Sequence, residues 1–289
     1  MRVTDADATP GVAQLEVLRV EGAHDTRADD LLAVEEPLLI ELAHDRDGGR
    51  VTDSVAVTMR TPGHDVELAL GFLWTEGILA SPDELLREPS PPPTEEGAPD
   101  ANTVRVALRP GVPVDLRRLE RHFYTTSSCG VCGKTSLEAL AAARPLVLPP
   151  AHPVVDAATV HALPDALRDA QAVFARTGGL HAAALFTPDG RLLCVREDVG
   201  RHNAVDKLVG RMLLDGALPL HDHLLLVSGR ASFELVHKAL AAGIPILAAV
   251  GAPSSLAVHT ARAYGATLLG FVRGGRFNVY AGAERIRTT

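Results

Sequence analysis

Continuous apolar stretches alternate with amphipathic segments through the C-terminal part of the chain. Residues 224–227, 244–250 and 267–272 are apolar runs with the length of buried strands. Between them, the spacing of apolar residues predicts helices over residues 232–240 and 255–264. Apolar strands that alternate with helices are typical of a parallel sheet covered on both faces. The pattern therefore predicts an α/β fold with a mostly parallel C-terminal sheet.

Shorter sequence patterns predict the strands and helices that come before these elements in the chain. Alternating residues at 182–186 and 191–196 flank a Thr-Pro-Asp-Gly turn and predict a hairpin. A helix is expected over residues 157–174, and Val205, Leu208, Val209 and Met212 mark another amphipathic helix.

The N-terminal half has a mixed pattern. Strands are predicted over residues 37–43 and 51–59, joined by an Asp-Gly-Gly turn, and a short strand over residues 103–108. A helix is predicted over residues 66–76, with Asp65 as its N-cap and Gly77 at its end.

Polar and proline-rich segments divide the chain. The first thirty residues are polar, acidic and alanine-rich, and residues 88–100 contain almost no apolar side chains. The predicted parts are a flexible N-terminal arm (1–30), a smaller N-terminal α+β subdomain (31–120) with a Pro-rich excursion (88–100), a mobile loop around two cysteines (121–136) and a C-terminal α/β domain (137–289).

Composition and charge exclude several classes of protein. The formal net charge of −8 argues against generic binding of duplex nucleic acid. Only three cysteines occur in 289 residues, which excludes a disulfide framework and indicates a reducing compartment. Neither a signal peptide nor an apolar run of about 18 residues is seen. We therefore expect a cytoplasmic protein with no nucleic-acid or membrane partner.

Small and cationic residues follow each predicted strand of the C-terminal sheet. These segments are residues 228–230, 251–255 and 273–276. Ligands of open α/β sheets bind outside the carboxyl ends of the strands, and a helix N-terminus favours an anion. Turns and caps need the same residue types, but three such segments together predict a ligand site at this edge.

Two cysteines with a dipeptide between them, Cys129-Gly-Val-Cys132, lie among Thr, Ser and Gly residues. A structural zinc site needs four ligands, and His122, His181 or His202 could complete one, although the spacing is not diagnostic. A thioredoxin-type site would follow a buried strand, which is absent here.

Two further interpretations of the cysteine pair remain. A zinc deaminase has a His-x-Glu motif before its cysteines, whereas the pair comes first here and no Glu follows His181 at that spacing. A mobile loop that carries a persulfide needs an accessible thiolate, which nearby Lys134 would favour. The polar, glycine-flanked context suits this last chemistry. Cys194, in an alternating strand, is expected in the core.

Residues 196–207 are unusually dense in polar side chains for a loop and a helix start. Asn203 is the expected cap, while Asp198, Arg201, His202 and Lys207 could form a polar network or bind a ligand. His181 is interpreted either as a ligand contact or as a hydrogen-bonded core histidine.

Six stretches together identify a resemblance. The chain resembles the FdhD family of sulfur carrier proteins, which are needed for formate dehydrogenase activity, through residues 60–77, 128–134, 177–182, 196–207, 227–238 and 270–280, in family order.

The resemblance implies a function. Family members accept persulfide sulfur from an IscS-type cysteine desulfurase and pass it to the molybdenum or tungsten bis(molybdopterin guanine dinucleotide) cofactor of formate dehydrogenase. The persulfide-bearing cysteine would be Cys129, and Cys132 would assist. The resemblance also implies a homodimer with a cytidine deaminase-like three-layer sandwich and no resident metal.

The resemblance places the cofactor-binding stretch on residues 271–276. Arg273 and Arg276 suit phosphates because a guanidinium donates in a fork. The candidate cofactor-binding residues are therefore Phe271, Val272, Arg273, Gly274, Gly275, Arg276, Ser228, Gly229, Arg230 and His181.

Overall fold

The computed structural model describes residues 11–94, 98–114 and 148–288. It begins with a hairpin of β1 (Val12–Glu21) and β2 (His24–Ala33), paired in register over all ten positions. The prediction of a loose arm over residues 1–30 is therefore wrong for the described part. Gly22, with φ 64°, allows the tight turn, and β1 alternates apolar and polar residues over 13–17 and 18–21, as is typical of a strand, whereas β2 is mostly polar.

The predicted N-terminal hairpin is confirmed. Strands β3 (Glu36–Arg46) and β4 (Gly49–Arg60) pair antiparallel, with Asp47 and Gly48 at positive φ in the turn. Strand β5 (Thr103–Ala107) pairs parallel with β3 and completes a three-stranded sheet in the order β4-β3-β5. In the preceding excursion, Ser90 forms a bridge with Arg105 of β5.

Helix α1 (Asp65–Thr75) is confirmed, but its predicted cap is not. His64 is the N-cap, with φ 59°, and Asp65 is the first helical residue. The carboxylate of Asp65 instead accepts hydrogen bonds from Arg60 Nε and Nη2, at 3.0 and 3.1 Å. Asp65 therefore forms an ion pair with the buried guanidinium of Arg60 instead of capping the backbone amides of the helix. Gly77, with φ 70°, follows the helix end as predicted.

The C-terminal part forms a six-stranded sheet in the order β12-β11-β10-β9-β7-β8. Its α/β character is confirmed, but two of the five neighbour pairings are parallel, so the prediction of a mostly parallel sheet is wrong. Short turns join β7 to β8 and β11 to β12, and such turns allow only antiparallel pairing. The strands are β7 (His181–Phe186), β8 (Leu192–Asp198), β9 (Leu224–Val227), β10 (Ile246–Ala249), β11 (Thr267–Arg273) and β12 (Arg276–Ala281).

Helices cover both faces of this sheet. One face packs on the helix over residues 157–170, and the other packs on the helices over residues 201–214, 233–241 and 255–263, through two separate clusters of buried side chains. The predicted helix over 157–174 is divided at Gln171, which ends α2 and begins α3. The helices are α2 (Ala157–Ala170), α3 (Ala172–Thr177), α4 (Arg201–Leu214), α5 (Phe233–Ala241) and α6 (Ser255–Ala263), and short strands β6 (Val155–Asp156) and β13 (Ile286–Arg287) pair beside α2.

Helices α1 and α4 cross in close contact and connect the two sheets. A Cβ atom on Gly71 would lie 1.8 Å from the Asp206 carbonyl oxygen, and one on Gly210 would lie 1.8 Å from that of Glu67. Only glycine permits this approach. The crossing sets the position of the α4 N-terminus against the loop before α1. Within the described ranges, no helix is long and apolar enough to cross a membrane.

Candidate functional site at the carboxyl edge of the sheet

The carboxyl ends of β9, β10 and β11 meet, as their order in the sequence predicts. The amide of Gly251 donates to the Gly229 carbonyl at 2.9 Å, and the Gly251 carbonyl accepts from the Phe271 amide at 3.0 Å. A Cβ atom on Gly251 would lie 3.0 Å from the Gly229 oxygen. The missing side chain therefore lets the loops after β9 and β10 and the strand β11 touch through their backbones.

His181 lies at this edge, beside the loop after β9. An added Cβ on Gly229 would lie 3.4 Å from Nδ1 of His181, so the ring packs against the glycine. Ser228 Oγ accepts from the amide that follows His181, at 2.9 Å, and ties β9 to β7. Burial lowers the pKa of His181, and the charges of Arg201 and His202 lower it further. These effects favour the neutral imidazole.

Residues 271–276 form the end of the β11–β12 hairpin rather than an open loop. Arg273 and Arg276 are a cross-strand pair, and the two glycines between them have φ 57° and 70°. Directly opposite side chains share one face of a hairpin, so two exposed guanidinium groups lie together. The guanidinium of Arg273 lies 5.8 Å from the Phe271 ring centroid. An aromatic ring beside two adjacent cations can bind a planar base and a phosphate.

The remaining candidates differ in accessibility. Arg230 is exposed next to Gly229, whereas Val272 is fully buried in the cluster that packs on α2. The side chain of Val272 therefore fixes the hairpin to the core, and only its backbone is available near the edge.

Asp198 forms the buried centre of the polar network that the sequence indicates. Its carboxylate lies 2.7 Å from Lys207 Nζ and accepts from the amides of Thr61 and Gly200 at 3.1 and 2.8 Å. Both charged side chains are almost completely inaccessible, at 0% for Asp198 and 1% for Lys207. These contacts satisfy the carboxylate and hold the loop before α1 against the start of α4.

Asn203 belongs to this network and is not the predicted cap. Gly200 is the N-cap of α4, and Asn203 lies within the first turn. Its Nδ2 donates to the Met59 carbonyl at 2.8 Å and to Asp198 Oδ1 at 3.0 Å. Long-range partners therefore determine its position.

Arg201 and His202 lie at the start of α4. His202 Nε2 is 3.3 Å from Ser232 Oγ and 3.7 Å from Glu234 Oε2, which links α4 to the start of α5. The hydrogen bond with His202 lowers the pKa of Glu234, against the effect of burial, to about 2. Nε of Arg201 is buried and has no hydrogen-bond partner among the described residues.

Thr61 is a site residue that sequence reasoning missed. Its amide binds Asp198, its Oγ1 accepts from the Val199 amide at 3.2 Å, and its carbonyl accepts from Lys207 Nζ at 2.8 Å. The Thr-Pro-Gly turn that begins at Thr61 was the available signal. The turn does not indicate a partner more than 130 positions away.

The two predicted sulfur-bearing residues, Cys129 and Cys132, lie outside the described residues. Cys194 is buried, as predicted, and burial raises the pKa of its thiol. A buried, protonated thiol is a poor nucleophile, so Cys194 is a core residue.

The fold and the edge site define an α/β protein with cationic loops at the carboxyl ends of its central strands. A comparison with protein families matches residues 33–287 to the FdhD/NarQ family. The chain belongs to the FdhD/NarQ family.

Similar proteins agree with this family. The chain is 54% identical to a protein of Streptomyces avermitilis named sulfur carrier protein FdhD, over 93% of this chain and 94% of that protein. It is also 54% identical to a protein of the same name from Mycobacterium tuberculosis, over 89% and 92%. A crystal structure from Desulfotalea psychrophila, described as that of a formate dehydrogenase accessory protein, is similar with a TM-score of 0.70 and 25% identity, over 96% of this chain and all of that one.

Proposed function

We propose that this protein is a sulfur carrier that serves formate dehydrogenase. The observation that supports the proposal most directly is the family match over residues 33–287, together with Cys129 and Cys132 inside the matched range. Relatives at 54% identity are named sulfur carrier proteins. The sulfur donor is an IscS-type cysteine desulfurase, and the acceptor is the bis(molybdopterin guanine dinucleotide) cofactor, which is cargo rather than a resident group.

Cys129 receives the sulfur by thiol–persulfide exchange. Its thiolate attacks the outer sulfur of the desulfurase persulfide, the sulfur–sulfur bond there breaks, and the desulfurase cysteine leaves as a thiolate. No net oxidation occurs, and the rate depends on the thiolate fraction and the access of Cys129. Cys132 assists as the second thiol of the pair.

The carboxyl edge of the six-stranded sheet is the proposed cofactor site. Arg273 and Arg276 form a cation pair that suits phosphate, and the Phe271 ring beside them suits a guanine base. The neighbouring loop after β9 contributes Ser228, Gly229 and Arg230, and His181 lies beside it. We further propose that the protein acts as a homodimer in the cytoplasm and that its fold is a three-layer sandwich like that of cytidine deaminases.

The proposal is tested in cells that lack the native carrier. Cys129→Ala should abolish formate dehydrogenase activity, whereas Cys194→Ala, a change in the core with no sulfur-carrying role, should retain it when the protein accumulates normally. If Cys129→Ala supports full activity, the protein acts as a cofactor-binding chaperone and not as a sulfur carrier.

A further inference from the structure

The β1–β2 hairpin is joined to the rest of the described structure near its base. There the Val34 amide donates to the Gly11 carbonyl at 2.9 Å, and a Cβ atom added to Gly11 would lie 2.7 Å from Thr61 Cγ2. Helix α3 also packs on β2. Farther out, residues 18–27 are all exposed. A two-stranded hairpin is at best marginally stable in water, so a further strand would stabilise its outer half.

The edge strands of the two larger sheets are protected against pairing with another chain. Strand β5 bridges to Ser90 of the Pro-rich excursion. In the other three edge strands, a backbone carbonyl accepts a hydrogen bond from a side chain. The pairs are Met59 with Asn203 in β4, Val195 with Arg196 in β8 and Tyr280 with Arg262 in β12, at 2.8, 2.8 and 3.0 Å. Contacts of this kind are a common way to prevent edge-to-edge association.

Strand β1 differs from these protected edges. Within the described ranges its only strand partner is β2. It contains no Pro, Gly or Lys, although such residues commonly interrupt exposed edges. Leu18 and Val20 are 61% and 63% exposed, and they share one face because side chains alternate along a strand. This edge therefore combines an unprotected backbone with apolar side chains.

The turn of the hairpin determines which backbone groups of β1 point outward. Glu21 and His24 pair across a two-residue turn, and the pair beside such a turn exchanges both of its backbone hydrogen bonds. Hydrogen-bonded and non-hydrogen-bonded pairs alternate along an antiparallel ladder. The amide and carbonyl groups of Leu18 and Val20 therefore point away from β2, towards the free edge.

Symmetry and charge limit how two copies of β1 can pair. In a two-fold antiparallel pair, the residue on the axis lies opposite its own copy. Glu16 or Arg19 on the axis would place like charges directly opposite each other, which destabilises the pair. Val17 on the axis would place Leu18 and Val20 opposite polar residues. Leu18 on the axis brings two leucines face to face, with Val20 of each copy diagonally beside them.

We infer that the free edge of β1 pairs antiparallel with β1 of a second copy, with Leu18 on the two-fold axis. The pairing converts two exposed hairpins into one four-stranded sheet, which exceeds the three strands that independent stability usually requires. The inference rests on the homodimer that belongs to the proposed function, and it assigns the contact surface of that dimer. The hairpin lies before residues 33–287, the range that matches the family.

The test is sedimentation velocity of the full-length protein with two substitutions on the axis. Leu18→Lys and Leu18→Glu each place like charges opposite each other and remove the leucine pair, so each should raise the dimer dissociation constant at least about tenfold. An equimolar mixture of the two variants should recover a dimer, since Lys then lies opposite Glu, and native mass spectrometry should show one copy of each. Leu86→Lys is the matched control, because Leu86 is 50% exposed and lies outside the hairpin. The control should dimerise as the wild type does.

The outcomes separate this interface from the proposed function. If both axis variants dimerise as tightly as the wild type, the interface is overturned and the homodimer stands. If the variants dissociate and their mixture does not recover, Leu18 does not face its own copy and the inference is overturned. A monomeric wild type overturns the interface and the homodimer together, whereas sulfur transfer to Cys129 is measured independently by mass. Recovery in the mixture also shows that both variants are folded.

Discussion

Replacement of Asp198 by Asn tests the buried network that shapes the candidate site. The wild-type carboxylate contacts Lys207 at 2.7 Å, the Gly200 amide at 2.8 Å, Asn203 Nδ2 at 3.0 Å and the Thr61 amide at 3.1 Å. An Asn of the same shape has one acceptor oxygen and an amide that cannot accept. Oδ1 accepts from Gly200 and Asn203, whereas Oδ2 accepts from the Thr61 amide and Lys207. An Asn amide at the position of Oδ2 therefore leaves the Thr61 amide and Lys207 Nζ without this acceptor.

The expected loss is large because Lys207 stays buried. Its side chain is 1% exposed, and in the variant its one remaining acceptor among these contacts is the Thr61 carbonyl at 2.8 Å. Removing one partner of a buried ion pair costs about 3–5 kcal/mol, whereas an exposed pair contributes about 0–1 kcal/mol. Asp198→Asn should therefore remove a large share of a total stability that is about 5–15 kcal/mol for a typical protein.

Urea unfolding at neutral pH measures this loss. The matched control is Asp165→Asn, because Asp165 pairs with Arg168 at 3.2 Å while its side chain is 77% exposed. The control should change the free energy of unfolding by less than about 1 kcal/mol. Adding Lys207→Met to Asp198→Asn should recover part of the loss, since the uncompensated charge is then gone. A loss in Asp198→Asn equal to that of the control would refute the reasoning.

Two further stability predictions concern the contacts of α1. Burial raises the pKa of Glu67, but hydrogen bonds from Arg196 and His64 outweigh it and lower the pKa to about 2. Because an unfolded Glu titrates near 4.5, this pair stabilises the fold above about pH 4.5 by at most about 3 kcal/mol, and the contribution is lost as the pH falls towards 2. Urea unfolding between pH 7 and 3 should show a shallower acid loss in Glu67→Gln, and an unchanged slope would contradict the assignment. Gly71→Ala should lower Tm, because the added Cβ would lie 1.8 Å from the Asp206 carbonyl oxygen. The free-energy cost of this steric overlap should exceed the gain of about 1 kcal/mol in helix propensity. A raised Tm would contradict this prediction, since it would show that α1 and α4 can move apart without cost.

The sequence predicts most of the C-terminal fold because buried strands and amphipathic helices leave strong periodic signals. Strands over 224–227 and 246–249 follow directly from apolar runs. The β1–β2 hairpin is missed although β1 alternates apolar and polar residues over 13–17 and 18–21, because β2 is rich in charged residues and has no such alternation. Strand β12 is missed as well, because it is short and only its last residue, Ala281, is buried.

The position of the site is more predictable than the roles of its residues. The rule that ligands bind at strand carboxyl ends identifies the segments around Ser228, Gly251 and Arg273, and the structure brings the first two together with Phe271. The local sequence does not show which side chains of residues 196–207 form hydrogen bonds and ion pairs with other parts of the protein. Asn203 illustrates this, because its partner is the Met59 carbonyl, 144 positions away.

The central claim is that Cys129 carries sulfur, and intact-mass measurement tests it most directly. The protein is incubated with a cysteine desulfurase and cysteine, without reductant, and its mass is recorded before and after treatment with a thiol. The account predicts a thiol-labile gain of sulfur that is absent in Cys129→Ala and present in Cys194→Ala. No gain in the wild-type protein, or a gain that persists in Cys129→Ala, would contradict it.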